Sequence, residues 1–384
     1  MKDYLLNNYT RTDAVFVSGD GATLTDENGK RYVDFTSGIG VSSLGYGDKA
    51  WTAAVSSQLA NIAHTSNLYY NAPNLKLAEK LCVATGYKSV FFSNSGAEAN
   101  ECAIKAARKY SADKYGGGRN VVVTITNSFH GRTLATLAAT GQKAFHVHFD
   151  PFPKGFTHAS GDNAANLEKK LSADNVCAVM FEYIQGEGGV SALDTKFIDA
   201  LFDVAAKRDI VTIADEVQTG VGRTGAFLCG ERYGHKADIT TLAKGLGGGL
   251  PIGATLFGDK TAAALSPGTH GSTFGGNAAV SAGAAAVIDR VTEDGFYDSV
   301  NEKSAYIRQT LLKHRDEIES ISGEGLMLGI KLKNKSAADI RKICFDNGLL
   351  VLTAKDRIRF LPPLTISRDE LEKGLDIFER AIYK

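Results

Sequence analysis

The chain has 384 residues, well above the roughly 100 to 200 of a single domain, so two or three domains are expected. Its 43 lysines and arginines balance 43 aspartates and glutamates, which removes the summed positive field that gathers nucleic acid or anionic lipid and favours small-molecule chemistry. With 43% hydrophobic and 22% charged residues, the composition is neither that of a disordered chain nor of a fibrous one.

In chain order, Met1 to Thr10 shows no basic stretch followed by an apolar run, and no run of about 18 apolar residues follows, so no signal peptide and no membrane span are expected. From Ala14 to Phe35, short apolar pairs alternate with turns at Gly19-Asp20-Gly21 and Glu27-Asn28-Gly29, predicting antiparallel hairpins in an N-terminal arm. From about Ser89 the texture changes. Val90-Phe91-Phe92, Asn120 to Thr126, Val176 to Ile184 and Ile210 to Ala214 are continuous apolar runs, as expected of strands buried on both faces. Between them Ala99, Cys102, Ala103, Ala106, Ala107 and Tyr110 recur at helical spacing, as do Phe197, Ala200, Leu201, Val204 and Ala205.

This alternation predicts βαβ crossovers and an α/β fold with a mostly parallel sheet, with ligand chemistry outside the carboxyl ends of its strands. After about Gly275 an alanine-rich helix from Ala278 to Ile288 opens a smaller α+β region that runs through Ile358 to Pro363. The expected division is an arm over 1–45 belonging to the small domain, a large domain over 46–275, and a C-terminal small domain over 276–384. The five cysteines, Cys82, Cys102, Cys177, Cys229 and Cys344, are odd in number and scattered, which fits a reducing, cytoplasmic setting better than a disulfide framework.

Four segments carry candidate chemistry. Ser93 to Glu98 falls between a strand and a helix, so Gly96 and Ala97 present backbone N–H groups at a helix N-terminus; it reads either as an anion cradle or as a capping box with Ser95 as cap. Asp215-Glu216 ends a strand and puts a carboxylate at the sheet's carboxyl edge, where it can bind a metal, orient a base or hold a protonated ring nitrogen, or simply cap a helix or stand as a surface charge. Lys244 has small neighbours and a glycine run behind it, which leaves room for a bulky group on its amine or marks a plain turn. Phe129-His130-Gly131-Arg132 offers an aromatic face and a guanidinium that can clamp a carboxylate.

Two further patterns are set aside. Gly220 to Gly225 matches G-x-G-x-x-G but lacks the strand before it and the helix after it that a dinucleotide site needs. His146, His148 and Asp150 have no evident third ligand group, and the alternation His146-Val147-His148-Phe149 reads equally as a half-exposed strand. No metal site is expected.

The ordered segments Asn94 to Glu101, Phe129 to Thr133, Gln185 to Gly189, Asp215 to Gly220, Thr241 to Pro251 and Gly271 to Asn277 resemble those of the class III aminotransferases of the fold-type I pyridoxal-phosphate enzymes, and within them the acetylornithine aminotransferases. The resemblance covers nearly the whole chain. It implies pyridoxal 5'-phosphate bound covalently at Lys244, Asp215 at its ring nitrogen, Gln218 at its phenolic oxygen, Phe129 stacked on the ring, and Ser95, Gly96 and Ala97 at its phosphate, with Glu216 and Val217 in the same cofactor set. It further implies a homodimer in which Thr273 reaches the partner's phosphate. Arg132 and Ser272 match positions that bind the substrate, and Glu182 with Arg359 matches a pair that gates between a substrate amine and a second carboxylate. The implied reaction moves the terminal amine of N2-acetylornithine to 2-oxoglutarate; ornithine, succinyl-diaminopimelate or 4-aminobutyrate as donor, and an aminomutase, are the alternatives. Two positions depart from the family pattern, Tyr183 and Ala278 standing where proline is usual.

Overall fold

Runs of apolar residues without alternation become strands covered on both faces. The computed structural model describes residues 4–384, and in it Val176–Phe181 and Val211–Asp215 are buried at every position and pair in parallel. They sit inside a seven-stranded sheet in the order 89–93, 253–257, 239–242, 211–215, 176–181, 121–125, 156–159. Only Gly253–Phe257 runs against its neighbours.

Because side chains alternate across a strand, each face carries its own core. Val122, Ala178, Met180, Val211 and Ile213 pack with Cys102, Ala103, Ala106 and Ala107 of the helix Gly96–Tyr115. On the other face Val123, Val179, Phe181 and Ala214 pack with Phe197, Ile198, Leu201 and Ala205 of the helix Thr195–Lys207. Each fully buried leucine or phenylalanine here contributes about 1.5–3 kcal/mol.

Three sheet strands carry no clear apolar run: Phe156–Ala159, Ile239–Leu242 and Gly253–Phe257. The run expected as one strand over 176–184 is split, since Ile184–Gln185 leaves the sheet to pair with Ser191–Ala192. The stretch from His146 to Phe149 is not a strand. A 3₁₀ turn, Lys143–Phe145, precedes it, and His146 Nε2 donates to the carbonyls of Leu137 and Thr140 at 2.8 and 2.9 Å, a tether to the preceding helix end that outweighs the alternation.

The arm forms antiparallel strands Phe16–Asp20, Thr23–Asp26 and Arg31–Asp34. Its last strand takes Leu349–Leu350 as a parallel neighbour, and Glu370 accepts from Ala22 N at 2.8 Å, so the arm is held by the C-terminal region. That region contains an antiparallel sheet of Ile318–Glu324, Met327–Leu332, Arg357–Phe360 and Leu352–Ala354. Among the described residues no helix is long and apolar enough to cross a membrane, and no group of histidine, cysteine and carboxylate side chains is placed to hold a metal ion.

Candidate active site

The carboxyl ends of the parallel strands converge on one cavity of 490 Å³, and Lys244, Asp215, Gly96, Phe129, Arg132 and Glu182 all line it. Lys244 stands two residues beyond the strand Ile239–Leu242 and opens a 3₁₀ turn with φ of 44°, a left-handed conformation that costs a non-glycine residue about 1–2 kcal/mol. Desolvation pushes the pKa of its amine below the ordinary lysine value, with the Glu187 carboxylate pulling the other way. A larger share of the amine is thereby neutral, as a nucleophile or base requires.

Asp215 is only 4% exposed, and its carboxylate is fixed by three donors. Asn100 Nδ2 and His130 Nδ1 each donate to Oδ2 at 2.8 Å, and Val217 N donates to Oδ1 at 3.1 Å. Asn100 is itself oriented by Thr241 Oγ1, which donates to its Oδ1 at 2.7 Å. A carboxylate so held can keep a proton on a cationic ring nitrogen.

Gly96 begins the 20-residue helix whose N-terminus faces the cavity. A Cβ there would lie 2.7 Å from Val217 Cγ1, so only glycine lets the backbone N–H groups come this close to the Asp215 loop. Ser95 caps the helix by accepting from Glu98 N at 3.2 Å. Glu98 closes the turn through Asn94 N rather than through Ser95 N as the capping-box pattern requires. The helix end is thus capped by Ser95 while Gly96 and Ala97 still line the cavity.

Phe129 borders the cavity, and its N–H donates to Glu182 Oε2 at 2.9 Å. Glu182 also accepts from Gly186 N at 3.2 Å, and burial pushes its carboxyl up to about 7. It does not meet Arg359. The guanidinium of Arg359 lies 2.6 Å from Glu187 Oε1 and 3.2 Å from Gln218 Oε1, so Glu187 is the carboxylate of that pair. Both backbone donors of Glu182 lie in the 129–186 region and turn it away from the C-terminal sheet that carries Arg359.

Glu216 also departs from expectation. Alternation along the chain turns it away from the cavity that Asp215 and Val217 line, and it binds Cys229 N at 2.6 Å, Gly230 N at 2.9 Å and Thr219 Oγ1 at 3.2 Å. It ties down the loop behind the site. Ser272 and Thr273 line a separate cavity beside His64 and Leu68, and Ser272 Oγ accepts from Asn94 Nδ2 and Gly275 N at 3.2 and 3.0 Å. Within one chain they are not brought to Lys244.

Asn100, His130 and Glu187 were not singled out by sequence. All three stand inside segments that carry the resemblance, and His130 is the immediate neighbour of Phe129. Together the site offers a helix N-terminus for an anion, a buried carboxylate for a ring cation, an aromatic face and a desolvated amine for a carbonyl.

The aminotransferase class-III family model matches residues 4–382. The chain is 46% identical to the acetylornithine aminotransferase of Haemophilus ducreyi over 381 residues, which is 99% of this chain and 96% of that protein. The N-acetylornithine aminotransferase of Stenotrophomonas maltophilia superposes with a TM-score of 0.86 at 33% identity, over 98% of this chain and 97% of that one. The ornithine aminotransferase of Toxoplasma gondii, whose structure reveals partial occupancy of pyridoxal phosphate at its active site, superposes with a TM-score of 0.94 at 29% identity, over 99% of this chain and 92% of that one. With the sheet, the cavity and the full-length match in agreement, the chain belongs to the class-III aminotransferases, pyridoxal-phosphate-dependent enzymes of fold type I.

Proposed function

We propose that the enzyme transfers the terminal amine of N2-acetylornithine to 2-oxoglutarate, giving N-acetylglutamate 5-semialdehyde and glutamate, with pyridoxal 5'-phosphate on Lys244. The observation that carries the cofactor assignment is the single cavity in which a desolvated lysine, a triply held aspartate and a glycine-begun helix face one another. These residues fit a phosphorylated pyridine aldehyde: Ser95, Gly96 and Ala97 would hold the phosphate, Phe129 the ring face, Asp215, itself held by Val217 N, the ring nitrogen, and Gln218 the phenolic oxygen. When bound, the cofactor supplies an electron sink for the carbon that bears the amine.

The chain's own residues do the rest. Lys244 would move the proton at that carbon, its lowered pKa suiting it to act as base and then as acid. Asp215 keeps the ring nitrogen protonated. Arg132 takes the donor's carboxylate, while Arg359, paired with Glu187, takes the second carboxylate of 2-oxoglutarate when Glu187 turns aside. Thr273 and Ser272 serve the site of a partner subunit in a homodimer, which accounts for their place in a separate cavity. A reducing, cytoplasmic location fits the scattered cysteines, four of which are buried.

The substrate is tested by single turnover. Loaded enzyme is mixed with N-acetylornithine, ornithine or 4-aminobutyrate without acceptor, and the cofactor's visible absorbance is followed. N-acetylornithine is expected to convert it at least tenfold faster than the others, which corresponds to about 1.4 kcal/mol of discrimination. If ornithine or 4-aminobutyrate wins, this substrate reading falls and the family assignment stands.

A further inference from the structure

Arg132 is exposed at the cavity mouth, and no hydrogen bond or ion pair among the described residues engages its guanidinium. Its only partners are aromatic. Its Cζ lies 4.1 Å from the ring centroid of Phe145 and 5.5 Å from that of Phe129, and the two rings meet edge to face at 5.9 Å and 83°. A ring stacked on a guanidinium covers its π-face and leaves the in-plane N–H groups free, which is the edge a carboxylate engages through two parallel hydrogen bonds.

Phe145 is in turn fixed in place. It ends the short turn Lys143–Phe145, whose preceding residue Gln142 donates to Ser128 O at 3.1 Å. The next residue, His146, donates from Nε2 to the carbonyls of Leu137 and Thr140, at the end of the helix Leu134–Ala139 that begins two residues after Arg132. The helix carries Arg132 at one end and anchors the Phe145 turn at the other. The histidine that resembled a metal ligand thus serves as a tether.

We infer that Phe145 is a positioning and specificity-determining residue: it holds the Arg132 guanidinium edge-on to the cavity, so that amine donors bearing a carboxylate are preferred over amines that lack one. The inference rests on the reading that Arg132 receives the donor's carboxylate. A flexible arginine without the ring loses its rotamers on binding, whereas one stacked beforehand has fewer to lose.

The test is a steady-state and single-turnover comparison of holoenzyme variants Phe145→Leu, Phe145→Tyr and Arg132→Met, using N-acetylornithine and its decarboxylated counterpart, N-acetylputrescine. Phe145→Leu keeps apolar bulk but removes the ring. It is expected to raise KM for N-acetylornithine about two- to fivefold, as loss of an exposed cation–π contact implies, with kcat nearly unchanged. Phe145→Tyr is expected to restore the wild-type KM, and N-acetylputrescine is expected to show no KM change in any of the variants. Equal weakening of both donors in Phe145→Leu, or an unchanged KM for N-acetylornithine, overturns the inference. If Arg132→Met itself leaves the KM for N-acetylornithine unchanged, the carboxylate reading of Arg132 fails first, which separates the two failures.

Discussion

Lys244 sits among three carboxylates, Glu187, Asp215 and Glu182, yet desolvation outweighs their attraction and depresses its pKa. The protonated amine is therefore a burden on the folded protein whenever the cofactor is absent. The pH dependence follows from linkage: above the ordinary lysine value of 10.5 the amine is neutral in both folded and unfolded states, and no penalty exists. As pH falls below that value the unfolded chain takes up the proton more readily, and stability is lost until the folded state also becomes protonated. In cofactor-free protein, Lys244→Met is thus expected to melt at a higher temperature than wild type near neutral pH. The difference should shrink as pH approaches 10.5. Melting curves at several pH values check this, and a gap that does not change with pH would mean that the carboxylates compensate the buried charge in full. The same scale separates Glu182 from Glu187. The two are five positions apart in one motif, and only the excursion of Ile184–Gln185 out of the main sheet decides which of them faces Arg359. No local pattern encodes that excursion.

Among elements, the loop at 220–225 is the discarded G-x-G-x-x-G, and the structure gives it a mechanical role. Arg223 is 2% exposed, and its Nη1 donates to Leu326 O at 3.0 Å and Pro362 O at 2.5 Å, while Leu326 N donates back to its carbonyl at 3.0 Å. Pro362 lies three residues beyond Arg359, so Arg223 and Arg359 join the same two segments of chain, one by a strap and the other across the site. Arg223→Met leaves two buried carbonyls without this donor. It is expected to cost about 2–3 kcal/mol, seen as a lower urea midpoint, and an unchanged midpoint would mean that the carbonyls find other partners. Nothing in the glycine spacing announces the strap. By contrast Val176–Phe181 was legible, because a strand buried on both faces needs no polar residue. Ile239–Leu242 and Gly253–Phe257 were not, because threonines interrupt them. Those threonines are buried only because Thr241 reaches Asn100, Thr255 reaches Ala99 O and Thr240 meets Tyr87. Such hydrogen bonds join residues 141 to 156 positions apart, beyond any window of sequence.

At the scale of the whole molecule, the cavity that holds Thr273 opens beside Leu68, 87% exposed, and the neighbouring Tyr69 and Tyr70 are 71% and 89% exposed, with Phe274 at 60%. So much apolar surface next to Thr273, which the resemblance assigns to a neighbouring site, is what a dimer interface would cover. If Thr273 completes the partner's site, damage to Lys244 and damage to Thr273 fall on different sites of a mixed dimer. Lys244→Ala removes the amine from its own site, and Thr273→Asp sets a negative charge against the partner's phosphate. Each homodimer is expected to be nearly inactive. In a mixed dimer one site carries both lesions and the other carries neither. Random reassortment of equal amounts makes about half of the dimers mixed, so about a quarter of all sites regain function. Co-expression with two affinity tags, followed by purification of the mixed species, should raise recovery to about half of wild type per dimer, one site of two. Activity that stays at the level of the separate homodimers would place Thr273 in the service of its own chain or of none, and the site would then have to be complete within one subunit.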